Sequence, residues 1–299
     1  MPSRFRRARV LIVGYGDVGT RVGRLLAPRV RLLALVRGVG ADEPKGPPKP
    51  SGVQRLRGDL DDAASLRRLA GVATHVVHLA PPPGQGKDDP RTAALVQTLA
   101  RRTPPVALVY GSTSGVYGDC GGAWVRETAP LQPATPRAAR RVAAERHVRD
   151  LARRAGVRTS VLRIPGIYAP DRAGGTPRTR LEAGTPVLAA PDDVYTNHIH
   201  ADDLARACVL ALWRGRPLRA VNVNDDSQLK MGDYFDLAAD LYGLARPPRI
   251  PRAQAGEHMT AASLSFMSES RRMDNARLKR ELGLKLRYPT PAEGLLQKD

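Results

Sequence analysis

The chain has 299 residues, enough for one large domain or two modest ones, and its 42% apolar and 26% charged residues are typical of a folded protein rather than a disordered one. No stretch approaches the roughly 20 consecutive apolar residues of a membrane helix, so no membrane partner is expected. The net charge of +19 comes from arginines spread along the whole chain, only seven of the 48 basic residues being lysines; with three phenylalanines and two tryptophans to stack bases, no nucleic-acid partner is expected.

Neither a secretion signal nor a disulfide framework is predicted. The basic N-terminus is followed by an apolar run, 10–13, that stops at Gly14 and is too short for the core of a signal peptide. Cys120 and Cys208 are far apart and form neither a disulfide framework nor a metal cluster. We therefore expect a cytoplasmic protein.

Short apolar runs alternate with helical patterns in the first half of the chain. Strands are predicted over 9–13, 30–36, 53–56, 75–79 and 106–110, and helices over 20–27, 61–70 and 91–102. A Gly/Pro-rich loop over 38–52 separates the second and third strands. This alternation is typical of a parallel sheet that helices cover on both faces.

The second half begins with a long helix and then becomes irregular. The predicted elements are a helix over 136–154, strands over 159–164 and 220–223, and short helices over 202–213, 232–242 and 275–282. We expect an α/β fold with a doubly wound parallel sheet. Its first domain spans residues 1–165 and is completed by the strand near 220–223, and residues 166–299 form mostly a smaller substrate-binding lobe.

A glycine motif, Gly14-x-Gly16-x-x-Gly19, lies between the first strand and the first helix. In that position the first glycine permits a tight turn, the second lets the backbone approach a pyrophosphate, and the third allows close packing of helix and strand. The helix N-terminus adds free amides and a positive dipole end. The pattern predicts a Rossmann-type fold with a dinucleotide held by the loop residues, namely Gly14, Tyr15, Gly16, Asp17, Val18 and Gly19.

The end of the second strand indicates which dinucleotide is bound. NAD-binding folds place an acidic residue on the ribose 2′-hydroxyl about 20 residues past the loop, whereas NADP-binding folds use a nearby arginine. Here the strand ends in Arg37 and no carboxylate occurs before Asp42. Arg37 is a candidate clamp for a 2′-phosphate, so NADP is favoured over NAD as the cofactor.

Six segments, in order, resemble the extended short-chain dehydrogenase/reductase family, the NAD(P)-dependent epimerase/dehydratase group. They are the glycine loop and the segments 58–60, 75–80, 111–119, 162–170 and 197–203, with 274–283 similar to a C-terminal helix of the family's substrate lobe. The resemblance implies that Asp59 and Leu60 hold the adenine and that Leu79 and Ala80 lie beside the cofactor's inner ribose.

The sequence departs from the family at the proton-transferring pair. Family enzymes carry Tyr-x-x-x-Lys on the helix after the active-site strand, and alignment on Glu145 puts Arg137 and Arg141 at those two positions. An arginine cannot act as a base near neutral pH because its pKa exceeds about 12, although Arg141 can still hold a ribose hydroxyl or a phosphate. The chain therefore most resembles an atypical branch, the bacterial YeeZ-type proteins.

Hydroxyl groups near the end of the active-site strand are the remaining catalytic candidates. The family's catalytic serine or threonine falls on Thr113, with Ser112 beside it, and a hydroxyl there can bind a substrate carbonyl or alcohol. Tyr117, Tyr168 and Tyr195 are candidate acids, each with packing in the core as the alternative. We therefore expect an NADP-dependent oxidoreductase, epimerase or dehydratase acting on a polar small molecule, perhaps nucleotide-linked; the alternative is a cofactor-binding sensor or scaffold without turnover.

The histidines and the arginine-rich helix give weaker signals. His198 and His200 lack further ligands at zinc spacing, so no metal is expected, and Asp202 or Asp203 is expected to cap the following helix. Arg163 either lies under the substrate cleft, as the resemblance implies, or forms a salt bridge at a strand end. In many extended relatives the helices beside the active site form a dimer interface, so the resemblance implies a homodimer, provided the arginines of helix 136–154 are paired or turned away.

Overall fold

The computed structural model describes residues 7–38, 51–260, 264–265 and 267–296, so most of the loop expected over 38–52 lies outside the described residues. Thirteen strands are formed within these ranges: β1 (Arg9–Val13), β2 (Arg31–Val36), β3 (Gln54–Arg57), β4 (His75–His78), β5 (Ala107–Thr113), β6 (Trp124–Val125), β7 (Arg158–Ile164), β8 (Gly166–Tyr168), β9 (Val187–Leu188), β10 (His198–His200), β11 (Arg219–Asn222), β12 (Arg249–Ile250) and β13 (Arg272–Met273).

The helices within the described ranges lie between and after these strands. They are α1 (Asp17–Leu26), α2 (Pro90–Leu99), α3 (Pro136–Ala155), α4 (Arg178–Glu182), α5 (Ala201–Arg214), α6 (Met231–Tyr242), α7 (Ala255–His258), α8 (Ala276–Arg280) and α9 (Pro291–Gly294). Among the described residues, no helix combines the length and the apolar composition that a membrane span requires.

Seven parallel strands form the central sheet in the order β11-β7-β5-β4-β1-β2-β3. The doubly wound parallel sheet predicted from the sequence is therefore confirmed. From β1 the chain runs outward in one direction through β2 and β3 and in the other through β4 and β5. In an open α/β sheet, ligands bind at the carboxyl ends of the strands beside such a reversal, which here is the edge of β1 and β4.

Alternate residues of β1 belong to two separate apolar cores, which explains why the strand is apolar throughout. Val10 and Ile12 pack in the core under α1 and α5, whereas Leu11 and Val13 pack in the core under α2 and α3. A strand buried on both faces has no polar side, as the sequence pattern indicated.

The helix predicted over 61–70 is instead a short 3-10 helix, Ser65–Leu69. The Ser65 hydroxyl donates to the Asp62 carbonyl at 2.7 Å and accepts from the Asp59 amide at 2.8 Å, and the Asp62 carboxylate accepts from the Ala64 amide. Such local side-chain bonds give the backbone an alternative to the α-helical pattern.

The residues after β8 build a smaller layer over one edge of the sheet. Its short strands pair β8 with β10 and β9 with β12, and β13 pairs with β6. A separate apolar cluster centred on Tyr168, Tyr234 and Phe235 supports it. The long insert between β7 and β11 thereby stands over the carboxyl ends of the sheet strands.

A buried carboxyl group in the loop after β11 makes the stability of the fold depend on pH. Asp225 is 1% exposed, its Oδ1 accepts from the amide and hydroxyl of Ser227, and its Oδ2 has no hydrogen-bond partner in the described part of the chain. Burial raises the pKa of Asp225 from 3.8 to about 7. Because the folded protein binds this proton more tightly than the unfolded chain, Asp225 costs stability increasingly as the pH rises from about 4 to about 7.

We expect the variant Asp225→Asn to gain stability relative to the wild type over that pH range, and the difference to level off above it. Buried His78 and His198, whose pKa values burial lowers to about 3, have the opposite dependence in both proteins, so only the difference between the two proteins isolates Asp225. Urea unfolding of both proteins at about pH 5 and pH 8 measures this difference. A difference that does not change with pH would contradict the assignment.

Candidate functional site

The glycine loop is tightly packed against the end of β4. Gly14 has φ +92°, and a Cβ there would lie 2.4 Å from the amide nitrogen of Ala80 and 2.7 Å from the carbonyl carbon of Leu79. A Cβ on Gly19 would lie 2.4 Å from the carbonyl oxygen of Gly14. A Cβ on Gly16, in contrast, would meet no atom of the described residues within 4 Å. The loop therefore leaves open space at the one glycine where a ligand is expected to approach the backbone.

The side chains within the loop differ in what they face. The Tyr15 ring packs back on α1, where its hydroxyl lies 3.0 Å from the position of a Cβ on Gly23, and Val18 packs on the core. Asp17 is the first residue of α1 and its carboxylate points to basic side chains, Arg21 at 3.1 Å and Arg172 at 2.6 Å. The side chains of Tyr15 and Val18 are therefore partly buried on α1 and the core, whereas Asp17 places a negative charge beside the loop.

The candidate adenine site lies at the ends of β2 and β3. The Gly58 amide donates to the Val36 carbonyl at 2.9 Å, which sets Arg37 beside the Asp59–Leu60 segment. Arg37 is exposed. The hydrogen bond from Arg91 lowers the pKa of Asp61, and Arg37 contributes to the same shift through its charge. The structure thus brings Arg37, Asp59 and Leu60 to one edge of the sheet.

A cavity of about 720 Å³ lies over the ends of β5, β7 and β8. Its wall includes residues 81–84 after β4, residues 172 and 174–176 after β8, and residues 195–197 before β10. Six arginines and a single acidic residue, Glu269, belong to its described lining: Arg137, Arg140, Arg141, Arg172, Arg180 and Arg271. The cavity is therefore strongly cationic and suits an anionic ligand.

Thr113 is one of the candidate catalytic hydroxyls that line this cavity, together with those of Tyr168 and Tyr195. It ends β5, and its Oγ1 accepts a hydrogen bond from the Gly115 amide at 3.3 Å. An oxygen that accepts a backbone hydrogen bond keeps its own hydrogen free to donate. Thr113 can therefore donate to a substrate oxygen in the cavity.

Ser112 faces the opposite side of the strand and is buried beneath the site. Its hydroxyl donates to Glu145 at 2.7 Å, and Glu145 also accepts from Arg163 at 3.0 and 3.2 Å and from Arg149 at 2.9 Å. Although burial acts to raise the pKa of Glu145, the bonds from Arg163 and Ser112 outweigh it and lower that pKa. Arg163 is therefore a buried salt-bridge partner at the strand end.

Tyr117 is part of the same buried network and is 1% exposed. Its hydroxyl donates to the Asn222 side chain at 2.6 Å and accepts from Arg163 at 2.9 Å. Burial raises its pKa, against the opposing effect of Arg163. The structure thus keeps Tyr117 and Ser112 outside the cavity lining, where Thr113 lies.

Arg141, at the position of the family's lysine, is held against β5. It donates to the Gly111 carbonyl at 2.7 Å and to the Tyr110 hydroxyl at 3.1 Å while also lining the cavity. Of the other tyrosines, Tyr168 donates to the Thr290 carbonyl at 3.2 Å, and the Tyr195 ring lies against the Arg272 guanidinium. Tyr168 is therefore engaged within the small layer.

The expected cap of α5 by an aspartate is wrong. His200 itself caps that helix, its Nδ1 accepting from the Asp202 amide at 3.2 Å, and Asp203 accepts instead from the amides of Arg287 and Tyr288. An imidazole nitrogen replaces the carboxylate because the residue before the helix has the extended backbone that a cap requires. Across the described ranges, no three His, Cys, Asp or Glu side chains are grouped closely enough to hold a metal ion.

Glu269 is a residue of the cavity that sequence reasoning missed. Its Oε2 and the Thr113 methyl carbon each lie 3.8 Å from the position of a Cβ on Gly115, so they are separated by at most twice that distance. Oε2 bonds to Arg271, which in turn donates to the carbonyls of Ser114 and Gly118, and Oε1 is buried without a partner among the described residues. No periodicity or motif marks Glu269, since its neighbours come from β5 and the loop after it, about 150 residues earlier.

Comparison with known proteins gives a consistent set of relatives. The family model of the NAD dependent epimerase/dehydratase family matches residues 10–223. A UDP-glucose 4-epimerase of Azospirillum brasilense is 32% identical over 126 residues, which are 35% of this chain and 36% of that protein. The curated relative is therefore matched over about a third of its length.

Solved structures match over nearly the whole chain. A functionally unknown conserved protein from Silicibacter pomeroyi is 30% identical, with a TM-score of 0.77 and 96% of both chains covered. The UDP-glucuronic acid 4-epimerase of Bacillus cereus, solved with UDP-glucuronic acid and NAD, is 19% identical, with a TM-score of 0.75 and 96% of both chains covered. At that identity the second likeness shows the fold alone.

Proposed function

This chain belongs to the NAD-dependent epimerase/dehydratase family, and we propose that it is an enzyme that uses NADP, in preference to NAD, to act on a hydroxyl or carbonyl group of a polar, nucleotide-linked substrate. The observation that carries the proposal is the packing of the glycine loop against the end of β4, which leaves open space at Gly16 at the reversal point of the sheet. The loop amides and the N-terminus of α1 suit a pyrophosphate there.

NADP is proposed over NAD because a cation, Arg37, directly follows β2 and no carboxylate occurs in the sequence before Asp42. Arg37 is exposed at the strand end, within electrostatic range of Asp61. An exposed guanidinium can form bidentate hydrogen bonds to a 2′-phosphate, and NAD offers it no such group. The Bacillus cereus epimerase was solved with NAD, so the preference rests on Arg37 alone.

The cationic cavity supports an anionic substrate such as a sugar nucleotide. Arg180 lies 4.6 Å from the centroid of buried Phe235, and burial lowers its pKa. Within the described residues Arg180 has no ion-pair partner. A partly desolvated cation without a counter-charge is stabilised when an anion binds. The relative from Azospirillum brasilense is a UDP-glucose 4-epimerase, and UDP-sugars carry a diphosphate, which supports the same substrate class here.

We propose that Thr113 binds the reacting oxygen of the substrate and that Glu269 accepts and returns the proton of that oxygen. A nicotinamide dinucleotide supplies the hydride acceptor or donor when it is bound. The Thr113 hydroxyl donates to the reacting oxygen, and Glu269 Oε1, which has no described partner, accepts the proton as an alcohol becomes a carbonyl and returns it in the reverse direction. Arg137 and Arg141 cannot take this proton, but Arg141 can hold a ribose hydroxyl or a phosphate.

We also propose how the chain is divided between the dinucleotide and the substrate. Residues 1–165 with β11 hold the dinucleotide, and residues 166–299 mostly hold the substrate. Membership of the YeeZ-type branch is proposed from the missing tyrosine and lysine. A homodimer through α3 is proposed as well, and the pairing of two of its arginines supports it: Arg140 donates to the Gly86 carbonyl at 2.7 Å and Arg149 to Glu145.

Oxidation of NADPH in the presence of a panel of aldehydes, ketones and sugar nucleotides tests the proposed turnover. We expect at least one compound to accelerate the loss of NADPH absorbance. We also expect UDP-sugars to be interconverted when NADP is supplied in an amount much smaller than that of the sugar. If the protein binds the dinucleotide but turns over none of these compounds, the proposal that it is an enzyme is contradicted. That result would favour the alternative, a sensor or scaffold without turnover.

A further inference from the structure

The loop after β8 is joined to the first turns of α1, beside the glycine loop, by two ion pairs. Arg172 Nη1 lies 2.6 Å from Asp17 Oδ2, and Asp171 Oδ1 lies 2.6 Å from Arg21 Nη2. The loop is itself closed, because the Ala169 amide donates to the Gly175 carbonyl at 3.3 Å and the Gly175 amide to the Arg172 carbonyl at 2.9 Å. A compact loop from the substrate side is thereby attached to the first turn of α1.

The two arginines of this cluster differ in how firmly they are held. Arg21 is 5% exposed and contacts three carboxylates, those of Asp17, Asp171 and Asp202. Burial acts to lower the pKa of Arg21, but its bonds to Asp171 and Asp202 outweigh this and raise it. The Arg172 side chain is 29% exposed and has Asp17 as its ion-pair partner. Arg172 can therefore leave Asp17 without exposing an unpaired carboxylate, because Arg21 remains there.

The charge balance of the cluster favours such an exchange when a dinucleotide binds. Three carboxylates face two guanidinium groups, so the cluster carries a net negative charge next to the loop that would hold a pyrophosphate. A pyrophosphate at Gly16 would be repelled by Asp17, the adjacent residue, unless a cation lies between them. Arg172 lies within hydrogen-bond distance of Asp17 and can occupy that place.

We propose that Arg172 is a ligand of the dinucleotide's pyrophosphate, and that Asp17 holds it in place before the dinucleotide binds. The inference rests on the proposed dinucleotide site and adds a binding residue that comes from the substrate lobe. Because Arg172 also lines the cavity, binding of the dinucleotide would fix one wall of the substrate site. The pyrophosphate is common to NADPH and NADH, so Arg172 does not distinguish between the two, unlike Arg37.

Titration of the wild type and two variants with NADPH and NADH, followed by nicotinamide fluorescence, tests this role. We expect Arg172→Gln to weaken the binding of both dinucleotides about tenfold or more, since hydrogen bonds to charged groups are the stronger kind. We expect Asp17→Asn to tighten binding several-fold, because it removes the competing carboxylate. The matched control is Arg178→Gln, which alters an exposed arginine on the neighbouring α4 that pairs with Glu182 at 3.8 Å. We expect it to bind like the wild type.

The opposite changes in dinucleotide affinity that are expected for Arg172→Gln and Asp17→Asn distinguish a ligand of the pyrophosphate from a structural contact. If Arg172 and Asp17 only fasten the loop, both variants remove the same ion pair and shift affinity in the same direction, and this result would overturn the inference. If the wild type binds the dinucleotides and Arg172→Gln binds them equally tightly, the inference is overturned as well, but the proposed function remains intact. A wild type that binds neither dinucleotide would remove both proposals. Thermal melting of each variant, compared with Arg178→Gln, shows whether the fold is retained.

Discussion

Replacement of Glu145 by alanine is expected to lower the free energy of unfolding by about 3–5 kcal/mol, since removal of one partner of a buried ion pair leaves the other charge uncompensated. The Glu145 side chain is fully buried, and Arg163, its partner, has 3% of its side chain exposed. Arg163 also holds the Tyr117 hydroxyl and the Glu127 carbonyl, so its displacement would disturb the floor of the cavity.

The matched control is Asp150→Ala on the same helix. Asp150 pairs with Arg153 at 3.2 Å, and both side chains are about half exposed or more, so its loss is expected to cost less than about 0.5 kcal/mol. Urea unfolding of the wild type and both variants at neutral pH measures both values, provided that the free energy of unfolding falls with urea concentration at the same slope in all three. A Glu145→Ala protein as stable as the Asp150→Ala control would show that the buried pair contributes nothing.

The variant Glu269→Gln is expected to reduce kcat by about 10²–10⁴ with the substrate that the carbonyl panel identifies, which is the usual contribution of a general acid or base. Glutamine keeps the shape and the hydrogen bond to Arg271 but cannot accept a proton. We expect the affinity for NADPH to be unchanged. A loss of dinucleotide binding in parallel with turnover would indicate a structural role through Arg271 instead.

Exposed Glu257 on α7 provides the control for that experiment. Glu257→Gln makes the same chemical change at an exposed position and is expected to keep full turnover. If Glu269→Gln retains turnover within a few-fold of Glu257→Gln, another group moves the proton and the assignment is wrong.

The sheet and the glycine loop are predictable from sequence because their signals are local. The apolar run before Gly14 and the motif that follows are contained within about ten residues. Strand alternation also separates Ser112 from Thr113, since consecutive side chains on a strand point to opposite faces. That rule places the two hydroxyls on opposite faces of β5, and the bond from Ser112 to buried Glu145 shows which face is the buried one.

The roles of other residues depend on partners that are distant in sequence. Tyr117 is buried because Asn222, on β11, accepts its hydroxyl hydrogen. Glu269 and Arg172 reach the site only because the small layer folds back over the sheet, and neither lies in a recognisable motif. Side-chain contacts between residues more than a hundred positions apart leave no periodic pattern in the sequence, so only the folded chain reveals them.

A paired titration with NADPH and NADH tests the central claim most directly, provided that any dinucleotide carried through purification is removed first. We expect the wild type to bind NADPH at least tenfold more tightly than NADH and Arg37→Ala to lose this preference. We expect Gly16→Ala, whose Cβ clashes with no atom of the residues that the structure describes, to fold normally and to bind both dinucleotides more weakly. Tighter binding of NADH would contradict the role of Arg37, and binding of neither dinucleotide by the wild type would contradict the proposed function itself.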